Sequence, residues 1–158
     1  MLQIKNSIKF VVSDFDGIFT DGCITVSEDG SVSKKLSFLD IMAVSMLIKK
    51  GIGFAVISGE KSAAIDYLTN KFDIEDVYQD IRCKAPILQN IMRKYDLKPS
   101  EVAYIGDDFN DIEALNSVEN RFTVPNANYK VKEVEGIQIT EAFGGAGGFR
   151  ELVDSILF

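Results

Sequence analysis

Histidine is absent from the 158 residues of the chain, and its absence excludes several kinds of catalytic site. Ser-His-Asp triads, histidine general bases and histidine-ligated zinc all need at least one imidazole. Cysteine is scarce, because only Cys23 and Cys83 occur and they form no CxxC motif. We therefore expect two free thiols in a reducing cytosol rather than a disulfide.

The chain also has fewer basic than acidic residues, and it has no long apolar run. The chain has 17 Lys and Arg residues against 24 Asp and Glu residues, a formal net charge of −7, which argues against a general binder of nucleic acid or anionic membranes. No apolar run is long enough to span a bilayer, and residues 1–6 lack the apolar region of a signal peptide. We therefore expect a cytoplasmic protein with neither a nucleic acid nor a membrane as partner.

Apolar, β-prone segments alternate with helical patterns along the whole chain, which predicts an α/β domain with a mostly parallel sheet. Hydrophobic residues make up 46% of the sequence, and we expect a single domain over residues 1–158. The chain between the first two strands of this sheet has room only for a hairpin over 24–36, with Asp29-Gly30 at its turn. A large inserted domain does not fit there.

The elements can be placed approximately from periodicity and from turn residues. The expected strands of the sheet are 8–13, 53–57, 77–78, 102–105 and 122–124, and the expected helices are 40–50, 61–72, 86–95, 110–115 and 149–157. We expect Asp40 to cap the first of these helices. The glycine-rich segment 144–148 is expected to be a flexible hinge before the last helix.

Three short polar segments follow expected strands. They are Asp14-Phe15-Asp16-Gly17, Ser58-Gly59 and Gly106-Asp107-Asp108-Phe109-Asn110-Asp111. The carboxyl ends of parallel strands meet at one edge of a sheet, where α/β enzymes place their chemistry. Clustered carboxylates repel one another unless a cation neutralises them, and hard oxygen ligands suit Mg²⁺. The pattern therefore indicates metal-assisted phosphoryl transfer.

The first segment offers a nucleophile and a proton donor. Asp14, at the end of the first strand, suits attack on phosphorus with formation of an aspartyl-phosphate. Asp16 points the same way in an extended segment, and it suits protonation of the leaving alkoxide and later activation of water. Gly17 allows a sharp turn behind the pair. The alternative is that both carboxylates merely cap a loop.

The other segments offer metal and phosphate ligands. Either Asp107 or Asp108 is expected to ligate Mg²⁺, with the other and Asp111 in the surrounding shell, although all three also suit the amino end of a helix. Ser58 suits binding of phosphate oxygens, or it belongs to an ordinary strand-to-helix turn. Lys84 suits neutralising the phosphoryl group and Asp14, or it is a solvated surface residue.

In this order, the nucleophilic Asp, the Ser after a strand, the Lys and the GDDxxD motif resemble the haloacid dehalogenase superfamily of phosphotransferases over nearly the whole chain. The resemblance implies a three-layer, Rossmann-like α/β fold with a parallel sheet, a β-hairpin flap and no cap domain. It implies Asp14, Asp16 and Lys84 as catalytic residues and Thr20, Ser58, Gly59, Glu60 and Lys84 as substrate-binding residues. It further implies Mg²⁺ held by Asp14, Asp16 (through its backbone carbonyl) and Asp107, with Asp108 and Asp111 in the second shell.

The segments DFDGIFTDG, GDDFND and GGAGGFRE, beginning at Asp14, Gly106 and Gly144, are similar to a small capless branch of that superfamily. The branch contains the 3-deoxy-D-manno-octulosonate 8-phosphate phosphatases and the nonulosonate 9-phosphate phosphatases. It implies a homotetramer in which a neighbour's tail helps close the site, and a role in the biosynthesis of sialic acid or lipopolysaccharide sugars. Glu60 stands where the octulosonate enzymes usually have arginine, which resembles the nonulosonate enzymes more, and Ile41-Met42 stands where a glycine is common.

The leading interpretation is a Mg²⁺-dependent phosphatase acting on a small phosphorylated 3-deoxy-2-ulosonic acid of eight or nine carbons. One alternative is a catalytically inactive or regulatory module with the same fold, which the intact set Asp14, Asp16, Lys84 and Asp107 disfavours. Another is a receiver-like domain phosphorylated on Asp14, which Asp16 disfavours because it promotes hydrolysis.

Overall fold

Six strands form one parallel sheet in the computed structural model of the protein, which describes residues 2–158. The strands of this sheet and of a separate hairpin are, in chain order, β1 (Phe10–Ser13), β2 (Thr25–Val26), β3 (Val32–Ser33), β4 (Gly53–Ile57), β5 (Asp76–Tyr78), β6 (Val102–Ile105), β7 (Asn120–Thr123) and β8 (Gln138–Ile139). The order in the sheet is β5-β4-β1-β6-β7-β8, and β2 and β3 form the antiparallel hairpin.

The helices follow the strands in alternation. They are α1 (Phe38–Lys49), α2 (Ala63–Phe72), α3 (Lys84–Lys94), α4 (Ile112–Asn116), α5 (Tyr129–Lys132) and α6 (Gly148–Leu157). Helix α1 packs against α6, and α3 packs against α4. Between β1 and β4, the described chain contains only the hairpin and α1, so the predicted α/β fold with a flap and no cap is confirmed. No helix within residues 2–158 combines the length and apolar character needed to cross a membrane.

The two central strands are buried along their whole length. Every residue of β1 and β6 is buried, as expected for parallel strands whose two faces are covered by helices. In the parallel register, Ser13 lies opposite Val56 on one side and Ile105 on the other. The residues that follow β1, β4 and β6 therefore emerge side by side at one edge of the sheet.

The structure agrees with the predicted element bounds where the local signal is strong. Strands β4 and β6 match the predicted ranges, and β1 begins two residues later than expected. Helix α3 begins at Lys84 and not at Pro86, because proline is tolerated within the first turn of a helix. The prediction missed α5 and β8, which are four and two residues long and too short for a periodic pattern.

The prediction that Asp40 caps its own helix is wrong. Ser37 is the N-cap of α1, and its hydroxyl accepts a hydrogen bond from the Leu39 N–H at 3.2 Å. Asp40 lies in the first turn, and its buried carboxylate accepts from the N–H groups of Gly147, at 3.1 Å, and Arg150, at 3.0 Å. Asp40 therefore caps the amino end of α6, because the packing of α1 against α6 brings it there.

The glycine-rich segment before α6 is packed and is not the flexible hinge that the sequence suggested. The Gly145 N–H donates to the Ile18 carbonyl at 2.8 Å, and the Gly144 N–H donates to Asn126 Oδ1 at 2.9 Å. A Cβ on Gly144 would lie 1.7 Å from the carbonyl oxygen of Gly17. Glycine is needed here because the two backbones touch.

Aromatic side chains fix the loop after β1 to the core. Phe15 and Phe19 are both fully buried, and their ring centroids lie 5.5 Å apart. Phe19 also contacts Phe149 of α6, with centroids 4.6 Å apart, and Phe149 contacts Phe54 of β4. The apolar residues on either side of Asp16 therefore hold this loop against both the sheet and the last helix.

Candidate active site

Carboxylates from two adjacent strands meet at the carboxyl edge of the sheet, as the sequence predicted. Asp14 follows β1, and Asp107 and Asp111 follow β6. One carboxylate oxygen from each of these three residues lies within 4.8 Å of the others. Gly59, after β4, approaches the same loop, since a Cβ there would lie 3.2 Å from Nδ2 of Asn110.

Lys84 is a buried site residue and not a solvated surface lysine. It is the first residue of α3, its side chain is fully buried, and its ammonium lies 2.8 Å from Oδ1 of Asp14 and 2.8 Å from Oδ1 of Asp111. Burial lowers the pKa of Lys84, but the charges of Asp14 and Asp111 outweigh it and raise that pKa above its ordinary value. The side chain therefore remains an ammonium between two carboxylates.

Asp111 already has a full set of hydrogen-bond donors. Besides Lys84, it accepts from the Tyr104 hydroxyl at 2.6 Å and from the N–H groups of Asp107, at 3.0 Å, and Asp108, at 3.1 Å. Its carboxylate therefore orients both Lys84 and the start of the acidic loop. The sequence did not single out Tyr104, although a phenol in an otherwise apolar buried strand is a recognisable signal because it needs a hydrogen-bond partner.

Asp108 lies apart from this cluster. Its exposed side chain accepts from the Phe109 N–H at 2.8 Å and from Nδ2 of Asn128 at 3.3 Å. It caps the short 3-10 turn Phe109–Asp111, as the helix-end alternative supposed. The consecutive pair thus divides, with Asp107 facing Asp14 and Asp108 facing the loop.

The charge in the cluster is not balanced. Burial and the charge of Asp111 raise the pKa of Asp14 well above its ordinary value, although Lys84 opposes this. Burial, followed by the charge of Asp111, raises the pKa of Asp107 to about 7. Because three carboxylates share one ammonium, a further cation would stabilise their ionised forms. Carboxylate oxygens are hard ligands of the kind that Mg²⁺ prefers, so this donor set fits that ion.

Gly17 makes the approach of Asp107 possible. It has a φ of +85°, and a Cβ on it would lie 1.8 Å from Oδ2 of Asp107. Any other residue would be strained at this φ and would also displace the carboxylate. The glycine after the DxD pair therefore serves the metal side of the site as well as the turn.

Asp16 is held by a lysine that the sequence did not reveal. Its side chain is 31% exposed, and both of its carboxylate oxygens lie 2.7 Å from the Nζ of Lys34, which follows β3 of the hairpin. Nothing in the local pattern separates Lys34 from its neighbour Lys35, because the contact joins segments 18 residues apart. Only the packing of the hairpin against the loop shows it.

Three further residues that the sequence suggested for substrate binding differ in their exposure: Thr20 and Ser58 are buried, and Glu60 is exposed. Thr20 is fully buried, and its hydroxyl accepts from the N–H groups of Gly17, at 3.1 Å, and Gly22, at 3.2 Å. It therefore holds the loop, and its hydroxyl also donates a weak hydrogen bond to Oδ1 of Asp16 at 3.4 Å, so a role in substrate binding stays a prediction. Ser58 is 1% exposed at the end of β4, and its hydroxyl accepts from the N–H of Glu60 at 3.2 Å. Glu60 itself is exposed.

A cavity of about 1020 Å³ opens beside Asp16, between the hairpin and the first turns of α2. Apolar side chains line much of it, among them Ile24, Val32 and Tyr67, and its charged lining residues are Asp16, Lys34, Glu60 and Lys61. Its size suits a small organic ligand, and its two lysines are matched by two carboxylates.

Several proteins that are similar to this chain in sequence and in structure are named as phosphatases. The family model of the haloacid dehalogenase-like hydrolases matches residues 65–142. The 3-deoxy-D-manno-octulosonate 8-phosphate phosphatase KdsC of Haemophilus influenzae is 31% identical over 157 residues, which is 99% of this chain and 87% of that protein.

Two solved structures share the fold closely. The 3-deoxy-D-manno-octulosonate 8-phosphate phosphatase of Moraxella catarrhalis, in complex with a magnesium ion, a phosphate ion and a KDO molecule, is 32% identical and has a TM-score of 0.89 over 96% of this chain and 86% of that one. The cobalt-bound form of the Haemophilus influenzae phosphatase is 30% identical and has a TM-score of 0.88 over 96% of this chain and 88% of that one.

Proposed function

Because the chain belongs to the haloacid dehalogenase-like hydrolases, and within them to the family of 3-deoxy-D-manno-octulosonate 8-phosphate phosphatases, we propose that it is a Mg²⁺-dependent sugar-acid phosphatase. Its substrate is the terminal phosphate ester of a 3-deoxy-2-ulosonic acid. The observation that carries the proposal is the buried group Asp14, Lys84, Asp107 and Asp111 at the carboxyl edge of the sheet. The alternative of an inactive binding module does not explain why all four charged groups are kept together.

Asp14 is the nucleophile in the first half of the reaction. One of its carboxylate oxygens attacks phosphorus while the bond from phosphorus to the sugar oxygen breaks, and Asp16 gives its proton to that oxygen. The Phe15 N–H, at 2.7 Å, and Lys84 both donate to Oδ1 of Asp14, so the carboxylate is held in one orientation. The products of this half are the sugar-acid alcohol and an aspartyl-phosphate.

Water completes the reaction. The Asp16 carboxylate takes a proton from water as the water oxygen attacks phosphorus, and the bond from phosphorus to Asp14 breaks. Asp14 returns as a carboxylate, Asp16 returns to its protonated form, and inorganic phosphate leaves. Phosphate monoesters hydrolyse extremely slowly without catalysis, so dividing the displacement between these two carboxyl groups gives a large gain in rate.

The groups that hold the phosphoryl oxygens come from β4 and α3. The Ser58 hydroxyl and the N–H of Gly59 lie at the end of β4, and the Lys84 ammonium adds positive charge as the transferring group accumulates negative charge. Thr20 supports this arrangement indirectly, because its hydroxyl fixes the N–H groups of Gly17 and Gly22.

Mg²⁺ would be held by the carboxylates of Asp14 and Asp107 and by the backbone carbonyl of Asp16. Asp111 has its donors already, and with Asp108 it belongs to the surrounding shell. When bound, the ion neutralises negative charge on the phosphoryl group and on the carboxylates. The Phe15 N–H holds the Asp14 carboxylate in place, and Asp111 holds the Lys84 ammonium.

Two substrates of this class have support. The similarity to octulosonate 8-phosphate phosphatases favours the eight-carbon acid, and Glu60, which replaces the usual arginine at the cavity, favours a nine-carbon acid. Turnover should be measured side by side on octulosonate 8-phosphate, deaminated neuraminate 9-phosphate and N-acetylneuraminate 9-phosphate, with Mg²⁺ and with excess chelator. Activity on none of the three, or full activity in chelator, would contradict the proposal.

We further propose that the protein is a cytoplasmic homotetramer. The hairpin and α1 support this, because Ile24, Val26, Val32 and Phe38 are between 57% and 75% exposed on one chain. Large apolar side chains grouped in this way mark surfaces that other chains cover. Light scattering tests the assembly, and a fully active monomer would contradict it. The exposed free thiols of Cys23 and Cys83 suit a reducing compartment.

A further inference from the structure

The closest ion pair at the mouth of the site joins the hairpin to the loop after β1. The ammonium of Lys34 lies 2.7 Å from each carboxylate oxygen of Asp16. The Lys34 side chain is only 9% exposed, although the hairpin strands beside it are exposed. An ion pair in water contributes little, but here the ammonium side is largely buried and Nζ contacts both carboxylate oxygens, so the pair restrains both partners.

Asp16 has few other restraints. Apart from Lys34, its side chain accepts a hydrogen bond within the described residues only from the Thr20 hydroxyl, at 3.4 Å from Oδ1, which is a weak hydrogen bond. The side chain is also much more exposed than that of Asp14, which is buried against Lys84. The position of the Asp16 carboxyl therefore depends mainly on Lys34, and so on where the hairpin lies.

We propose that Lys34 is a positioning residue, through which the hairpin places the Asp16 carboxyl for proton transfer to the leaving group. The inference rests on the proposed function, since it assigns Lys34 to the same reaction. Lys34 also lines the cavity beside Asp16, so the substrate enters next to this contact. A general acid donates from one carboxyl oxygen, and the leaving oxygen of the substrate takes the place of Nζ at that oxygen while Lys34 keeps the other.

The role makes a specific demand on the leaving group. A sugar alkoxide is a poor leaving group and needs the proton of Asp16, whereas p-nitrophenolate leaves without one. Asp16 also activates water in the second half, which both substrates share, so the two substrates differ only in the first half. Removing Lys34 should therefore slow release of the sugar-acid alcohol within a single turnover and hardly affect release of p-nitrophenolate. A merely structural role, or a role in binding the phosphoryl group, would slow both substrates equally.

The test compares Lys34→Met, Lys34→Arg and the matched control Lys35→Met, with Mg²⁺ present. Lys35 is the exposed neighbour on the same strand end, so its removal changes the net charge by the same amount. We expect Lys34→Met to lower the single-turnover rate of leaving-group release by about 10- to 100-fold for the preferred sugar-acid phosphate, as for a misplaced catalytic group, and by less than about twofold for p-nitrophenyl phosphate. Lys34→Arg should restore part of the loss, and Lys35→Met should match the wild type.

A double-mutant cycle shows whether Lys34 acts through Asp16. In an Asp16→Ala background, adding Lys34→Met should cause no further loss on the sugar-acid phosphate, because the group that Lys34 positions is gone. Equal losses in the single-turnover rate of leaving-group release on the two substrates, or a further loss in that background, would overturn the proposal. Wild-type enzyme inactive on every substrate would overturn the proposed function itself, and the role of Lys34 with it. An active wild type with an unaffected Lys34→Met would overturn only the role of Lys34.

Discussion

At the scale of single residues, the carboxylates of the site differ in how many hydrogen-bond donors contact each of them. Asp111 has four donors and is fixed, Asp14 has two donors at one oxygen, and Asp107 approaches Gly17 with no lysine of its own. These differences, and not the residue type, separate the proposed roles of the three residues: Asp111 as a positioning carboxylate, Asp14 as the nucleophile and Asp107 as a metal ligand. Environment sets the role of each acid.

The first prediction concerns Asp14. Asp14→Asn should abolish turnover, with at least about a thousandfold loss, because an amide is a poor nucleophile and a poor ligand for a cation. The shape of the side chain is kept, so circular dichroism should show an unchanged fold. Phosphate release is the measurement, and residual activity within tenfold of the wild type would rule out Asp14 as the nucleophile.

The second prediction concerns Glu60, which lines the cavity next to Lys61. A carboxylate there accepts hydrogen bonds from sugar hydroxyls, each of which contributes about 0.5–1.5 kcal/mol, and it repels a substrate carboxylate. Glu60→Arg should therefore shift the ratio of kcat/KM towards the eight-carbon substrate. The rate on p-nitrophenyl phosphate serves as the control and should hardly change. If the ratio between the two sugar phosphates stays the same, Glu60 is only an exposed acid two residues before the N-cap of α2 and does not select the substrate.

At the scale of elements, the last helix is tied to the rest by Asp40. This buried carboxylate of α1 accepts from two backbone N–H groups at the start of α6. Those N–H groups have no partner within their own helix, so Asp40 supplies what a helix normally obtains from its own N-cap. The residue at that N-cap is Gly147, which has no side chain to offer.

Asp40→Ala should therefore lower the free energy of unfolding by about 1–3 kcal/mol, the cost of leaving buried donors unpaired. Urea unfolding monitored by circular dichroism measures this. The matched control is Glu113→Ala, which removes an exposed acidic side chain from the first turn of α4 and should change stability by less than about 0.5 kcal/mol. Equal effects of the two substitutions would show that Asp40 does not cap α6.

At this scale, the sequence predicted those elements correctly whose signal lies within a few neighbouring residues. Strands β4 and β6 were placed correctly because each is a short apolar run with glycine or polar residues at its ends. The partners of Asp40 and the contact between Lys34 and Asp16 join distant segments, so no periodicity or turn signal encodes them. Lys84 was identified only through its place in the order of motifs, because its burial between two carboxylates depends on how α3 packs.

At the scale of the whole molecule, the chain has a net charge of −7 and gathers three carboxylates, Asp14, Asp107 and Asp111, at one edge of the sheet. Folding raises the pKa of Asp14 and of Asp107, the latter to about 7 from an ordinary value of 3.8. Between those two pH values the folded Asp107 keeps a proton that the unfolded one has released. The metal-free protein therefore loses stability as pH rises through this window.

Mg²⁺ should reverse that loss, because it binds the ionised carboxylates of the folded state. The increase in Tm on adding Mg²⁺ should be larger at pH 8 than at pH 5, and differential scanning fluorimetry measures it at both values. Asp107→Asn is the control, since it removes a titrating ligand and should reduce the difference between the two pH values. An equal increase at pH 5 and pH 8 would contradict the assigned cation site.

The contact between Gly144 and the backbone of Gly17 has a consequence for how the protein is made. The ribosome delivers the loop around Asp14 well before segment 144–148 and α6, which confine this loop. The nascent chain can pair its central strands while the loop around Asp14 is still unconfined, so on the proposed function it gains activity only after segment 144–148 and α6 have been made. We expect a chain stopped before Gly144 to retain strand and helix content by circular dichroism and to release no phosphate, and full turnover by that chain would contradict this order of events.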